Sequence, residues 1–274
     1  SNNTAVGKDA LGVNTTGTQN TAVGALALDA CTTGGANVAI GESALTANTT
    51  ATNNTSIGRH SMVSNTTGTQ NVAVGTNALD ANTTANNNTA VGYNALTENT
   101  TGDSNTALGS LAAQVTSTGN NTTAIGRSSL FANTTGSNNT AVGKSALQDN
   151  TTASSNTAVG TSALEANTTG SQNVAVGASA FDASTTSSNC VAIGHNALTT
   201  QTAAADNVAV GKDALKLNTT GNFNTAIGKD SLESNTTASN NTAVGTDSLK
   251  ANTTGTRNTV VGSLALDANT TAND

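Results

Sequence analysis

The sequence has no proline and no tryptophan, and only one tyrosine and three phenylalanines in 274 residues. Aromatic side chains normally anchor a core of this size, each burying about 150–250 Å². A core built around them is excluded. Charged residues make up 9% of the chain, against roughly 25% in typical soluble domains. Nine Lys+Arg stand against sixteen Asp+Glu, a net charge of −7. That balance excludes a nucleic-acid binder that works by neutralising phosphates. No apolar run approaches the roughly 18 residues that a membrane-crossing helix needs, and no signal-peptide pattern is visible. Two cysteines and two histidines leave little material for disulfides or metal sites.

What is present is a repeat. Thr and Asn make up about a third of the chain, and a motif of small residue, aliphatic residue and glycine recurs with Gly at 7, 24, 41 and every seventeenth position to 262. Sixteen copies follow one another without insertion or deletion. Loops in ordinary folds drift in length at little entropic cost. A period held this strictly implies units stacked in fixed register. The expected domain organisation is one continuous array, residues 1–274. It opens and closes in mid-repeat, so it reads as a fragment of a longer fibre without caps.

Positions are counted from each motif glycine. Position −1 is always aliphatic (Val23, Val74), −2 is nearly always Ala, −3 is Thr or Val, and −4 is Asn (Asn20, Asn71) in all but two copies. Position +3 is Ala or Ser, and +4 is Leu (Leu45, Leu79) except at Met62, Ala113 and Phe181. Positions +7 to +9 usually read Asn-Thr-Thr, as in Asn48, Thr49 and Thr50. The alternation before the glycine predicts a short β-strand, with −3 and −1 on one face and the Ala on the other. Gly24 and Gly75 typify the corner that follows, where φ can be positive or backbones can approach. The Ala-Leu pair predicts a second short strand, and Asn-Thr-Thr the return turn. The expected core of each coil combines the aliphatic residue, the Leu, the Thr or Val, and the Ala.

The fold class expected is all-β: a parallel β-solenoid, or β-roll, of 16 coils with 17 residues each. At an inter-strand spacing of about 4.8 Å such a stack spans roughly 75 Å. Identical side chains then form ladders along it, the amides as in cross-β structures. All but four of the 25 charged residues lie at +1, +2, +5 or +6, outside the ladder columns, so these columns are expected to face water. One slender coil buries little per ordered residue. Rows of Ala and Ser would let neighbouring chains approach, so a parallel homotrimer is expected.

The strand motifs Asn37-Val38-Ala39-Ile40-Gly41 and Asn189-Cys190-Val191-Ala192-Ile193-Gly194 resemble the head repeat of trimeric autotransporter adhesins. They also resemble repeats of tailed-phage fibres and of large bacterial surface proteins that end in a self-cleaving chaperone domain. The form seen over residues 14–24 is most similar to that last group. The resemblance covers the whole chain, although the adhesin repeat is usually shorter, near fourteen residues. It implies a left-handed roll, three chains about one axis, and a cell or virion surface. It also implies attachment to a host-surface glycan or matrix protein, or a spacer role. It carries over no binding residue.

The residues offer little reactive chemistry. His60 and His195 fall in the variable columns of repeats 4 and 12, too far apart in the expected stack to share a metal. Cys31 and Cys190 each replace an Asn, ten repeats apart, far beyond the roughly 5.5 Å between Cα atoms that a disulfide needs. They read as small space-fillers. No phosphate loop is present: Gly143-Lys144-Ser145 lacks the glycine five residues before Gly143, where Asn138 stands. Aspartates keep no fixed column, against a calcium β-roll. The Asn-Thr-Thr triplets match glycosylation acceptors but read better as turn ladders. The Thr columns invite an ice-binding reading, opposed by the adjacency of the two threonines, which would face opposite ways on a strand. The expectation is therefore a non-catalytic extracellular fibre segment, with no cofactor and no metal. The alternatives are a self-assembling structural filament or an ice-binding solenoid.

Overall fold

The computed structural model describes residues 2–273. They form two compact units, residues 1–138 and 139–274. Each unit is a parallel β-solenoid of eight 17-residue coils, and no described residue is helical. The first unit runs from β1 (Thr4–Val6) to β8 (Thr123–Ile125), the second from β9 (Thr140–Val142) to β16 (Thr259–Val261). Within each unit every strand pairs in parallel with the strand one repeat away, like over like: Thr89 with Thr106 and Ala90 with Ala107 in the first, Val174 with Val191 and Ala175 with Ala192 in the second.

The strands are only three residues long, and their alternation decides what is inside. The central residue is fully buried in every inner coil, Ser56 in coil 4 and Ala in the rest, as at Ala22, Ala73, Ala158 and Ala209. The flanking −3 and −1 residues point outward and are half-buried or exposed. This corrects the expected core. Val23 and Val74 are not inside, and Ile40, Ile57 and Leu108 are 38%, 36% and 47% exposed. The reason is room. The opposite wall of the coil supplies Leu45 and Leu79, both fully buried, and a 17-residue loop that closes over leucine leaves space for only a methyl on the strand side.

Among the described residues the expected second strand is absent. Residues +1 to +6 form turns, and the +4 leucines adopt left-handed backbone, φ 54° at Leu45 and 53° at Leu79. Position +2 does the same, as at Ser43 (φ 56°), and so does the residue before the −4 Asn, as at Asn53 (φ 61°). Left-handed backbone costs a non-glycine residue about 1–2 kcal/mol. Here it turns amides toward both neighbouring coils. Ser43 N–H donates to Ala25 O of the coil before (2.9 Å), and Leu45 N–H to Ser61 O of the coil after (3.0 Å). The motif glycine completes the corner. Gly24 has φ 134°, and a Cβ placed there would lie 2.5 Å from Gly41 O of the next coil.

The Ala and Ser at +3 are also interior: Ala27, Ala44 and Ala78 are fully buried, as are Ser61 and Ser129. They cannot be the rows on which another chain rests, as the sequence suggested. Small side chains here serve the coil itself, letting its two walls close.

Candidate functional surface and internal ladders

Two asparagine columns run through the interior of each unit. In the −4 column, Asn20 and Asn71 are buried. Asn71 Oδ1 accepts from Asn88 N–H (2.9 Å), its own N–H donates to Asn54 Oδ1 (2.9 Å), and its Nδ2 donates to Ala85 O (2.8 Å). Asn20 repeats the pattern through Asn37 N–H (3.0 Å) and Gly34 O (2.8 Å). In the +7 column, Asn48 is buried, and its Nδ2 reaches Ala51 O (3.3 Å) while its Oδ1 accepts from Asn65 Nδ2 (3.4 Å). Buried amides are costly unless bonded; those of the −4 column are bonded to the coils on either side, and Asn48 to its own coil and the next. The same burial withdraws the Asn of the Asn-Thr-Thr triplets from any glycosylating enzyme acting on the folded chain.

The two threonines of the triplet part company. Thr49 is half-buried, and its hydroxyl donates to Thr66 O of the next coil (3.4 Å). Thr50 is exposed. The cysteines are free and buried, as space-filling replacements for Asn should be, and burial raises both thiols above their usual pKa. Around Cys190 a second substitution compensates. Gln201, at a +7 position, directs Nε2 to Cys190 Sγ (3.3 Å) and accepts from both Asn207 (2.8 Å) and Asn218 (2.9 Å).

The outer surface has three distinct parts. The first is the uncovered sheet face of each unit, made of the −3 column (Thr or Val) beside the −1 column (Val, Ile or Leu), with no charged residue in either. No element of the same unit covers it. The second is the set of variable columns. They mostly meet solvent as expected, but Asp213 and Asp230 are corrections, only 4% and 7% exposed. Each lies under lysines: Lys212 and Lys216 on Asp213, Lys229 and Lys250 on Asp230. Burial alone would raise the Asp213 carboxyl, but hydrogen bonds from Lys212, Asn196 and Lys216 outweigh it and lower the pKa to about 2. Columns fixed at +1, +2 and +5 put these lysines over these aspartates, a pairing the spacing could have revealed. The third part is an open groove in the second unit, lined along successive coils by Asp149, Glu165, Asp182 and Thr199 with two alanines. Thr199 donates its hydroxyl to Asp182 Oδ1 (2.6 Å).

His60 is half-buried in the first unit and His195 exposed in the second. Among the described residues, no three of His, Cys, Asp or Glu are grouped to hold a metal ion, and no helix is long and apolar enough to cross a membrane. No protein-family profile matches the chain, and no curated protein matches it.

Proposed function

We propose that the chain is a non-catalytic structural segment of an extracellular fibre on a cell or virion surface, a spacer whose variable columns meet a host glycan or matrix protein. In this reading three parallel copies pack their sheet faces together around a common axis. The observation that carries it is the outward Val, Ile and Leu column. A soluble protein seldom leaves a long apolar stripe uncovered without a partner for it, and a face repeating every 17 residues is matched along its length by another copy in the same register. The number three and the left hand come from the resemblance to adhesin heads and phage fibres. Ladder amides and lysine-paired aspartates bind coil to coil, which supports a structural role for most of the buried polar groups.

Sedimentation of the full chain tests the assembly. A stable trimer is expected, converted to monomer when Ile40, Ile57 and Val74 are replaced together by Asp. A wild-type monomer at micromolar concentration would overturn it. An ice-binding role would instead predict thermal hysteresis; the sheet face has a mixed Thr and Val column beside a wholly aliphatic one, and no hysteresis is expected.

A further inference from the structure

The +7 ladder is continuous only where an amide follows an amide. Three coils break it, with Cys31, Thr116 and Ser184, and in each case the carboxamide oxygen one coil earlier is buried without a partner: Asn14, Asn99 and Asn167 Oδ1. The breaks are not equal. Cys31 Sγ turns to Gly34 O (3.5 Å), and Thr116 Oγ1 receives Asn133 Nδ2 (3.5 Å). At the third break the Ser184 hydroxyl is itself unpartnered, and so is that of Ser187. Ser187 occupies +10, where every other coil has Gly or Ala. A Cβ at +10 points at the +7 side chain: built on Gly170, it would fall 2.6 Å from Asn167 Oδ1. In coil 11 the +7 residue that accompanies Ser187 is Ser184. The next amide up the column does not reach down, because Gln201 Nε2 is spent on Cys190 Sγ and Ala204 O.

Asn167, Ser184 and Ser187 are 0%, 0% and 1% exposed. One acceptor and two hydroxyls on neighbouring coils are thus each buried, where serine is shorter than the asparagine of other coils. Unpartnered buried polar atoms are uncommon in native proteins, and a bound water is one of the explanations for them. A buried water typically makes about three hydrogen bonds. We infer that a single structural water binds between coils 10 and 11, donating to Asn167 Oδ1 and bonded to the Ser184 and Ser187 hydroxyls, in place of the missing amide. A metal ion does not suit the set, which holds no anionic ligand.

A crystal structure of the full chain with ordered solvent tests this. One density peak within hydrogen-bonding distance of all three atoms is expected. In the double variant Ser184→Asn, Ser187→Gly, the peak should vanish, with the introduced amide bonded to Asn167 Oδ1. The inference is overturned if the wild-type chain shows no peak there and the serine hydroxyls bond directly to Asn167 Oδ1, or if the Phe181 ring fills the space. Should the variant fail to fold, the wild-type density decides alone.

Discussion

Asparagine has poor propensity for strands and a high desolvation cost, yet here it is an interior residue of nearly every coil. The side chain is used up on both sides: Asn71 holds one neighbour by Oδ1 and the other through its backbone N–H, and its Nδ2 closes the corner at Ala85. Replacing Asn71 by Ala leaves Ala85 O and Asn88 N–H without these partners and is expected to cost about 1–3 kcal/mol, read as a lower urea midpoint at unchanged slope. Gly58 is equally constrained, at φ 134° with Gly75 O 2.5 Å from a Cβ built on it. Gly58→Ala should destabilise by about 1–3 kcal/mol, and a neutral result would contradict the close contact between coils. Acid should act through Asp213. Its folded pKa, about 2, lies below the unfolded value near 3.9. The stabilisation is present above pH 4 and is lost as pH falls from about 4 toward 2. Thermal melts should show that loss, and Asp213→Asn should reduce it.

At the scale of the element, three residues settle which side of the sheet is wet. Period-2 alternation was legible in Thr-Ala-Val, and so were the strand, its parallel register and the ladder columns. The direction of the alternation was not, because hydrophobicity alone puts Val inside and leaves Ala indifferent. What decides is the closing leucine, whose bulk on the far wall limits the strand side to a methyl. The left-handed leucines were illegible for a related reason. Nothing in the Ala-Leu pair signals positive φ, which is imposed by hydrogen bonds to the coils above and below. The lysine columns beside Asp213 were legible in the spacing, but its burial to 4% exposure was not. The contrast between faces is testable. Ala73→Val should overpack the interior and cost about 1–3 kcal/mol, whereas Val74→Thr, one residue on but facing out, should change the stability of an isolated chain by under about 0.5 kcal/mol. Equal effects from the two would mean that the inside and outside of the strand are misassigned.

For the molecule as a whole, the same geometry repeats in both units, so its properties are column properties. Stability is then a sum of coil terms and neighbour terms, and the coils that break a column are the ones to watch. Coil 11 changes Leu to Phe181 and Asn to Ser184 and adds Ser187, and coil 12 follows with Cys190 in place of Asn, all without altering the seventeen-residue length. That the length survives where four column residues do not is the best sign that register, more than any one side chain, is what the sequence maintains. The most direct test is therefore of register. Thr89 and Thr106 are partners across neighbouring strands. Cysteines placed at both should form an intramolecular disulfide readily under mild oxidation, and cysteines at Thr89 and Thr123, two coils apart, should not. Equal cross-linking of the two pairs, or none at Thr89 and Thr106 in a folded chain, would contradict a stack of 17-residue coils.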